Sequence, residues 1–276
     1  MQKVALFSVK GGVGKSTVSA GLCYGLRDKG YKVGYLEVDI SGTSGHRAFG
    51  IDPPRLGLDT KNQKLIPPLV DGIRMFPLAS KFTEDAAIGW RSSDRELQVG
   101  GDKVIDKGRT GFIEEILTRA VDWGDLDWLV LDLPPSTSDE TFAFFKCLPD
   151  LYGVVLISQP SAISVIGLRK TIDFLKTIQK PILGLVENMG KVLCPYCSQE
   201  FYSFTSERID LVSLAKQENI PFLVSVPQVS DMSQLKPYFD ELADKVIKAE
   251  GKILKQDVLT IGARLERAVI KKGLGL

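Results

Sequence analysis

The chain has 276 residues, and 35 Lys and Arg against 34 Asp and Glu leave a formal charge of +1, which supplies no global field for nucleic acid or anionic lipid. Its 44% hydrophobic and 25% charged residues are those of an ordinary globular protein, and no apolar run approaches the ~18 residues that cross a bilayer. A single histidine, His46, excludes a His-rich metal site or a HExxH helix, and a Ser-His-Asp hydrolase would have to rest on that imidazole without a GxSxG elbow. At about 150 residues per domain, the length permits one large domain or two small ones. The sequence enters a strand-like run at once, with no charged leader or cleavage site, so the expectation is a protein that starts at Met1 and works in the cytoplasm.

Residues 4–9 read as a first, buried strand that runs into Lys10-Gly11-Gly12-Val13-Gly14-Lys15-Ser16-Thr17, and the spacing of Val18, Leu22 and Leu26 predicts a helix directly after it. Strand, glycine loop and helix are the context a phosphate site needs. The glycines let successive N–H groups point at phosphate oxygens, the helix N-terminus adds its positive end, and Lys15 reaches the outer phosphates. Ser16 then offers a hydroxyl to Mg²⁺. Val9 stands where the standard pattern has glycine, so this is a variant loop marked by its early lysine, Lys10. The second strand, 32–38, delivers Asp39, a candidate to orient water for attack on a γ-phosphate.

Segments 52–70 and 98–111, rich in Pro, Gly and polar residues, read as surface excursions on either side of a strand at 73–78. The hydrophobic strand 128–132 ends in Asp132, placing a carboxylate at the carboxyl edge of the sheet beside the Mg²⁺ shell. Strand 153–158, a helix marked by Ile163, Ile166, Leu168, Ile172 and Leu175, and strands 182–187 and 222–226 complete a doubly wound, mostly parallel α/β sheet in a single domain. No Asn-Lys-x-Asp stretch offers a carboxylate for guanine, which favours ATP. Asn188 has the donor and acceptor that match an adenine edge, though it serves equally as a turn former, and Pro227 and Gln228 could close the base pocket with backbone groups. The domain spans 1–250. In the tail, 251–276, Leu254, Val258, Ile261 and Leu265 predict an amphipathic helix that packs on the body or on a second subunit, with a membrane-surface helix as the alternative.

Of four cysteines, Cys23 and Cys147 fall in predicted helices and read as core, while Cys194-Pro195-Tyr196-Cys197 forms a loop whose two thiolates can face one metal. Spacing alone leaves an iron–sulfur cluster, a structural zinc, a redox dithiol and no metal all open. An all-cysteine site needs four thiolates, so two chains would have to contribute.

The Lys10 to Thr17 loop resembles the signature-lysine branch of P-loop ATPases, which includes MinD, ParA and the nitrogenase iron protein. Within that branch the chain is similar to the Mrp/ApbC group of ATP-dependent iron–sulfur cluster carriers. The similarity rests on Trp123-Gly124-Asp125-Leu126-Asp127, Asp132-Leu133-Pro134-Pro135, Glu187-Asn188-Met189 and the Cys-Pro-x-Cys loop, and covers residues 3–249. The resemblance implies weak or partner-stimulated ATP hydrolysis, with Lys10 reaching the partner subunit's nucleotide and Asp39 and Asp132 serving the two switches. It further implies a homodimer in which Cys194 and Cys197 of each chain hold a bridging cluster, of the 4Fe-4S type, destined for apo iron–sulfur proteins. No nucleic-acid partner is expected. The competing expectations are a MinD-like dimerisation switch whose C-terminal helix binds a surface, and an ATPase scaffold stapled by zinc.

Overall fold

The computed structural model describes residues 1–38, 45–76, 97–99, 102–104, 120–135, 139–197, 199–203 and 208–254. Strand β1 (Gln2–Phe7) leads through the glycine loop into α1 (Lys15–Asp28), followed by β2 (Val33–Glu37) and a short helix α2 (Gly45–Ala48). Next come an antiparallel pair, β3 (Gly57–Asp59) and β4 (Lys64–Ile66), then β5 (Leu69–Val70), β6 (Ile73–Phe76), and a second antiparallel pair, β7 (Leu97–Val99) and β8 (Asp102–Val104). The remainder alternates β9 (Trp128–Asp132), α3 (Asp139–Lys146), β10 (Leu151–Ser158), α4 (Ala162–Thr177), β11 (Ile182–Leu193), β12 (Glu200–Tyr202), α5 (Leu211–Gln217), β13 (Phe222–Gln228) and α6 (Lys236–Lys248).

Successive residues of a strand point to opposite faces, and here both faces are apolar, which is why the strands read as continuous hydrophobic runs. Along β1, Ala5 and Phe7 enter one core with residues of α3, α4 and α5, such as Phe145, Leu168 and Leu214. Val4 and Leu6 enter the other, against Leu22 and Leu26 of α1 and Leu242 and Val246 of α6. The sheet is therefore wound with helices on both sides. Its order is β12-β11-β10-β1-β9-β2-β6-β5, with β13 also paired to β11. All of its pairings are parallel except those of β5 with β6 and β12 with β11.

This order sets β1 between β9 and β10, so the loop that leaves its carboxyl end sits where the connections diverge, the usual place for a ligand in an open α/β sheet. Register then brings the acid to the loop, because Asp132 lies opposite Leu6 on one side and Glu37 on the other. Helix α1 is held close to α6 by missing side chains: a Cβ at Gly21 would stand 2.4 Å from the Phe239 ring, and one at Gly25 would stand 2.6 Å from the Phe239 carbonyl oxygen.

Each strand expected from the sequence is present. Strand 182–187 runs on to Leu193, because the polar Glu187-Asn188 pair does not end it. The two- and three-residue antiparallel strands were not anticipated, being too short to show a period. Beyond residue 250, the Lys252 N–H and carbonyl both pair with Ile182 (3.1 and 2.9 Å), and Leu254 packs against the core. The expected tail helix lies outside the described residues from 255 onward.

Candidate functional site

The glycine loop wraps through two left-handed residues, Gly12 (φ 76°) and Gly14 (φ 80°), conformations that a side chain resists. Gly14 is constrained a second way, since a Cβ there would fall 2.2 Å from Asn188 Nδ2. Around the loop lies a cavity of about 400 Å³ lined by Ser8, Lys10 to Thr17, Arg47, Ala48 and Pro135. Lys15 begins α1 and turns its ammonium onto Asp132, with Nζ 2.5 Å from Oδ1. The second carboxylate oxygen, Oδ2, accepts from the Tyr35 hydroxyl at 3.0 Å. Burial, and then the Asp132 charge, push the Tyr35 hydroxyl well above its ordinary range, so it stays protonated as a donor.

Lys10 is placed differently. Its Nζ donates to Ser164 Oγ in the first turn of α4, at 3.2 Å, and no carboxylate among the described residues pairs with it. Asn188, 2% exposed, donates from Nδ2 to the Val13 carbonyl at 2.7 Å, so it braces the phosphate loop from β11. Val226 is paired with Asn188, which sets Pro227 and Gln228 at the end of the neighbouring strand. Asp39 lies outside the described residues. Sequence reading missed Arg47, Tyr35 and Ser164. Arg47 enters the cavity from α2, Tyr35 reaches Asp132 from the strand next to it, and Ser164 meets Lys10 across a long sequence gap. None lies within the motif, so only the folded chain reveals them.

The cysteine pair caps a hairpin. Strand β11 continues to Leu193 and returns as β12, with Leu193 opposite Glu200 and the Cys194 N–H donating to the Gln199 carbonyl at 3.0 Å. Tyr196 at the tip is 96% exposed, Cys197 is exposed and Cys194 is half-buried. The N–H groups of Tyr196 and Cys197, and then the Cys197 side chain, hydrogen-bond to the Cys194 sulfur and hold its thiol below the usual range. Those hydrogen bonds favour the thiolate, the form that ligates metal. Cys23 is the opposite case, fully buried in α1, where burial and the Asp132 charge push its thiol up, and Cys147 packs against the other core. Among the described residues no group of three or more His, Cys, Asp or Glu gathers to hold a metal.

A central strand running into a glycine loop and helix, with a carboxylate at the end of the adjacent strand, defines a P-loop NTPase. More particularly, the chain belongs to the ParA family of NUBPL iron-transfer P-loop NTPases, whose model matches residues 1–262. It is similar to an iron-sulfur cluster carrier protein of Methanococcus maripaludis, 33% identical over 228 residues that cover 82% of this chain and 72% of that one. It is also similar to the cytosolic Fe-S cluster assembly factor NUBP2 homolog of Dictyostelium discoideum, 35% identical over 233 residues, 82% of this chain and 80% of that one. Among solved structures it resembles a nucleotide-binding protein from Archaeoglobus fulgidus in complex with ADP (TM-score 0.67, 27% identity, covering 92% of this chain and 94% of that one). In fold alone it resembles the septum site-determining protein MinD with Mg-ADP from Pyrococcus horikoshii (TM-score 0.59, 17% identity, 90% and 96% covered).

Proposed function

We propose that this chain is a homodimeric, ATP-hydrolysing iron–sulfur cluster carrier of the cytoplasm that assembles or transfers a cluster to apo iron–sulfur proteins. The observation that carries the reading is the half-buried Cys194 and exposed Cys197, two thiol donors at a hairpin tip with no third ligand gathered among the described residues. Relatives named as cluster carriers and assembly factors support it. A 4Fe-4S cargo wants four thiolates, so two hairpins facing each other across a twofold axis would complete its shell.

In this reading the loop N–H groups of Gly11, Gly12, Val13, Gly14, Lys15, Ser16 and Thr17 cradle the phosphates of ATP, and Lys15 exchanges Asp132 for phosphate oxygens. The chemistry of the donor set fits Mg²⁺: a hydroxyl at Ser16 and a buried carboxylate at Asp132 would hold the ion, which when bound neutralises phosphate charge. Asp39 orients the attacking water. Asn188 keeps one amide hydrogen on Val13, leaving its other N–H and its carbonyl oxygen for the adenine edge beside Pro227 and Gln228. Lys10 acts across the dimer on the partner's nucleotide. The ATPase body runs on past residue 250, since Lys252 pairs with Ile182 and Leu254 packs against the core.

Native mass spectrometry of anaerobically reconstituted protein, with iron, sulfide and zinc analysis, tests the reading. One four-iron cluster per two chains is expected, lost in Cys194→Ser or Cys197→Ser and kept in Cys23→Ser and Cys147→Ser. A complete cluster on a monomer would overturn the bridging site, and one zinc per dimer without sulfide would replace the cargo with a structural staple.

A further inference from the structure

Two lysines enter the cavity with different company. Lys15 is neutralised by Asp132 at 2.5 Å, whereas Lys10 rests on one neutral hydroxyl, Ser164 Oγ, at 3.2 Å. The resting place is built from three parts. Ser161, which caps α4 (Ala162–Thr177), accepts from the Ser164 N–H at 3.4 Å and donates to Ser164 Oγ at 2.9 Å, and this fixes the hydroxyl that Lys10 meets. The helix lies within ordinary van der Waals reach of the lysine one turn further on, where a Cβ placed at Gly167 would stand 3.9 Å from Lys10 Cβ. Finally, the first turn of α4 contains no acidic residue, so the ammonium sits at the positive end of a helix without a counter-charge in that turn. The side chain has a defined orientation and a weak hold, which any nearby anion with bare oxygens would outbid.

From this arrangement we propose that Ser164 is a positioning residue that keeps Lys10 in a standby orientation in its own subunit until the phosphates of a partner's nucleotide draw it away. The proposal rests on the reading of Lys10 as acting across the dimer. Standby has a thermodynamic sign. The Lys10–Ser164 contact exists in the separate subunit and is given up on closure, so removing it favours the closed dimer.

The test is the monomer–dimer midpoint of full-length, reduced protein free of iron and zinc, followed by sedimentation velocity with Mg²⁺ and the non-hydrolysable analogue AMP-PNP. Ser164→Ala should lower the midpoint concentration by about ten- to a hundredfold, because a symmetric dimer gives up two such contacts and each is a net hydrogen bond of about three- to tenfold. Ser164→Thr, which keeps the hydroxyl, should stay near the parent value. In a Lys10→Ala background, Ser164→Ala should cause no shift, because the interaction it removes is already gone. Ser161→Ala, which removes both the cap and the donor that fixes the Ser164 hydroxyl, should shift the midpoint the same way by less and only when Lys10 is present, and Ser164→Cys, a weaker acceptor of similar size, serves if Ser164→Ala does not fold and should shift the midpoint the same way by less. An unmoved or raised midpoint in Ser164→Ala, or an equal shift with and without Lys10, overturns the standby. Should Lys10→Ala leave both midpoint and turnover at parent values, or should AMP-PNP give no dimer, the cross-dimer reading itself falls. Lowered turnover in Lys10→Ala beside an inert Ser164→Ala removes the standby alone.

Discussion

Lys15 and Asp132 are 8% and 1% exposed, so each charge depends on the other until a nucleotide arrives. Lys15→Ala should therefore weaken ATP binding at least about tenfold and also lower the stability of the nucleotide-free protein by about 3 kcal/mol, the low end for breaking a buried pair because the ammonium borders the cavity. Calorimetric titration and urea unfolding measure the two effects. Lys10 has no buried carboxylate among the described residues to leave stranded, and Lys10→Ala should spare stability and most binding while lowering ATP turnover by ~10³-fold, the scale of a charge supplied across an interface. Turnover at the parent rate would contradict that assignment. Asn188 makes a third case, since its truncation leaves the buried Val13 carbonyl without its 2.7 Å donor. Asn188→Ala should cost about 1–3 kcal/mol in urea unfolding, and an unchanged midpoint would show that the brace carries no energy.

The packing of α1 on α6 sets two effects of known size against each other at Gly25. Alanine is the better helix former by about 1 kcal/mol, which alone predicts a more stable protein. Its Cβ, however, would stand 2.6 Å from the Phe239 carbonyl oxygen, a backbone atom that cannot swing away as a side chain would. Overpacking of this kind costs about 1–3 kcal/mol or more, so Gly25→Ala should destabilise, and a raised melting temperature would refute the argument. The same distinction explains what was legible in the sequence. The strands that carry Phe7, Leu131 and Leu156 announce themselves because a strand covered on both faces has to be apolar at every position, and the phosphate loop because its glycines serve local backbone geometry. Tyr35, Arg47 and Ser164 were not legible because they reach the site by packing between elements distant in the chain. The continuation of β11 past Asn188 was hidden by a polar stretch whose buried side chains are satisfied by partners elsewhere, Asn188 by the phosphate loop and Glu187 by the Ser225 hydroxyl at 2.8 Å.

At the scale of the molecule, the described residues of the nucleotide cavity all precede the last helix, and the chain stays stitched to the sheet through Lys252 and Leu254. Removing residues 255–276 should leave ATP affinity within about twofold of the parent, whereas removing 252–276 also breaks the pairing with Ile182 and should cost about 1–3 kcal/mol in unfolding. Full-length, ATP-bound protein is expected not to sediment with anionic liposomes; sedimentation lost with residues 255–276 would favour a surface-binding switch over a carrier. Strand β11 joins the two halves of the chemistry directly: Asn188 touches the phosphate loop, and the strand ends one residue before Cys194. Between them lies a break in register, with Met189 at φ 57°, between Asn188 and Val192 on the β13 side. In mechanical terms this is a rod on the order of 20 Å long with one crank in it. From Asn188 to Leu193 every residue of that rod is strand, so no loop stands between the brace on Val13 and the first thiol.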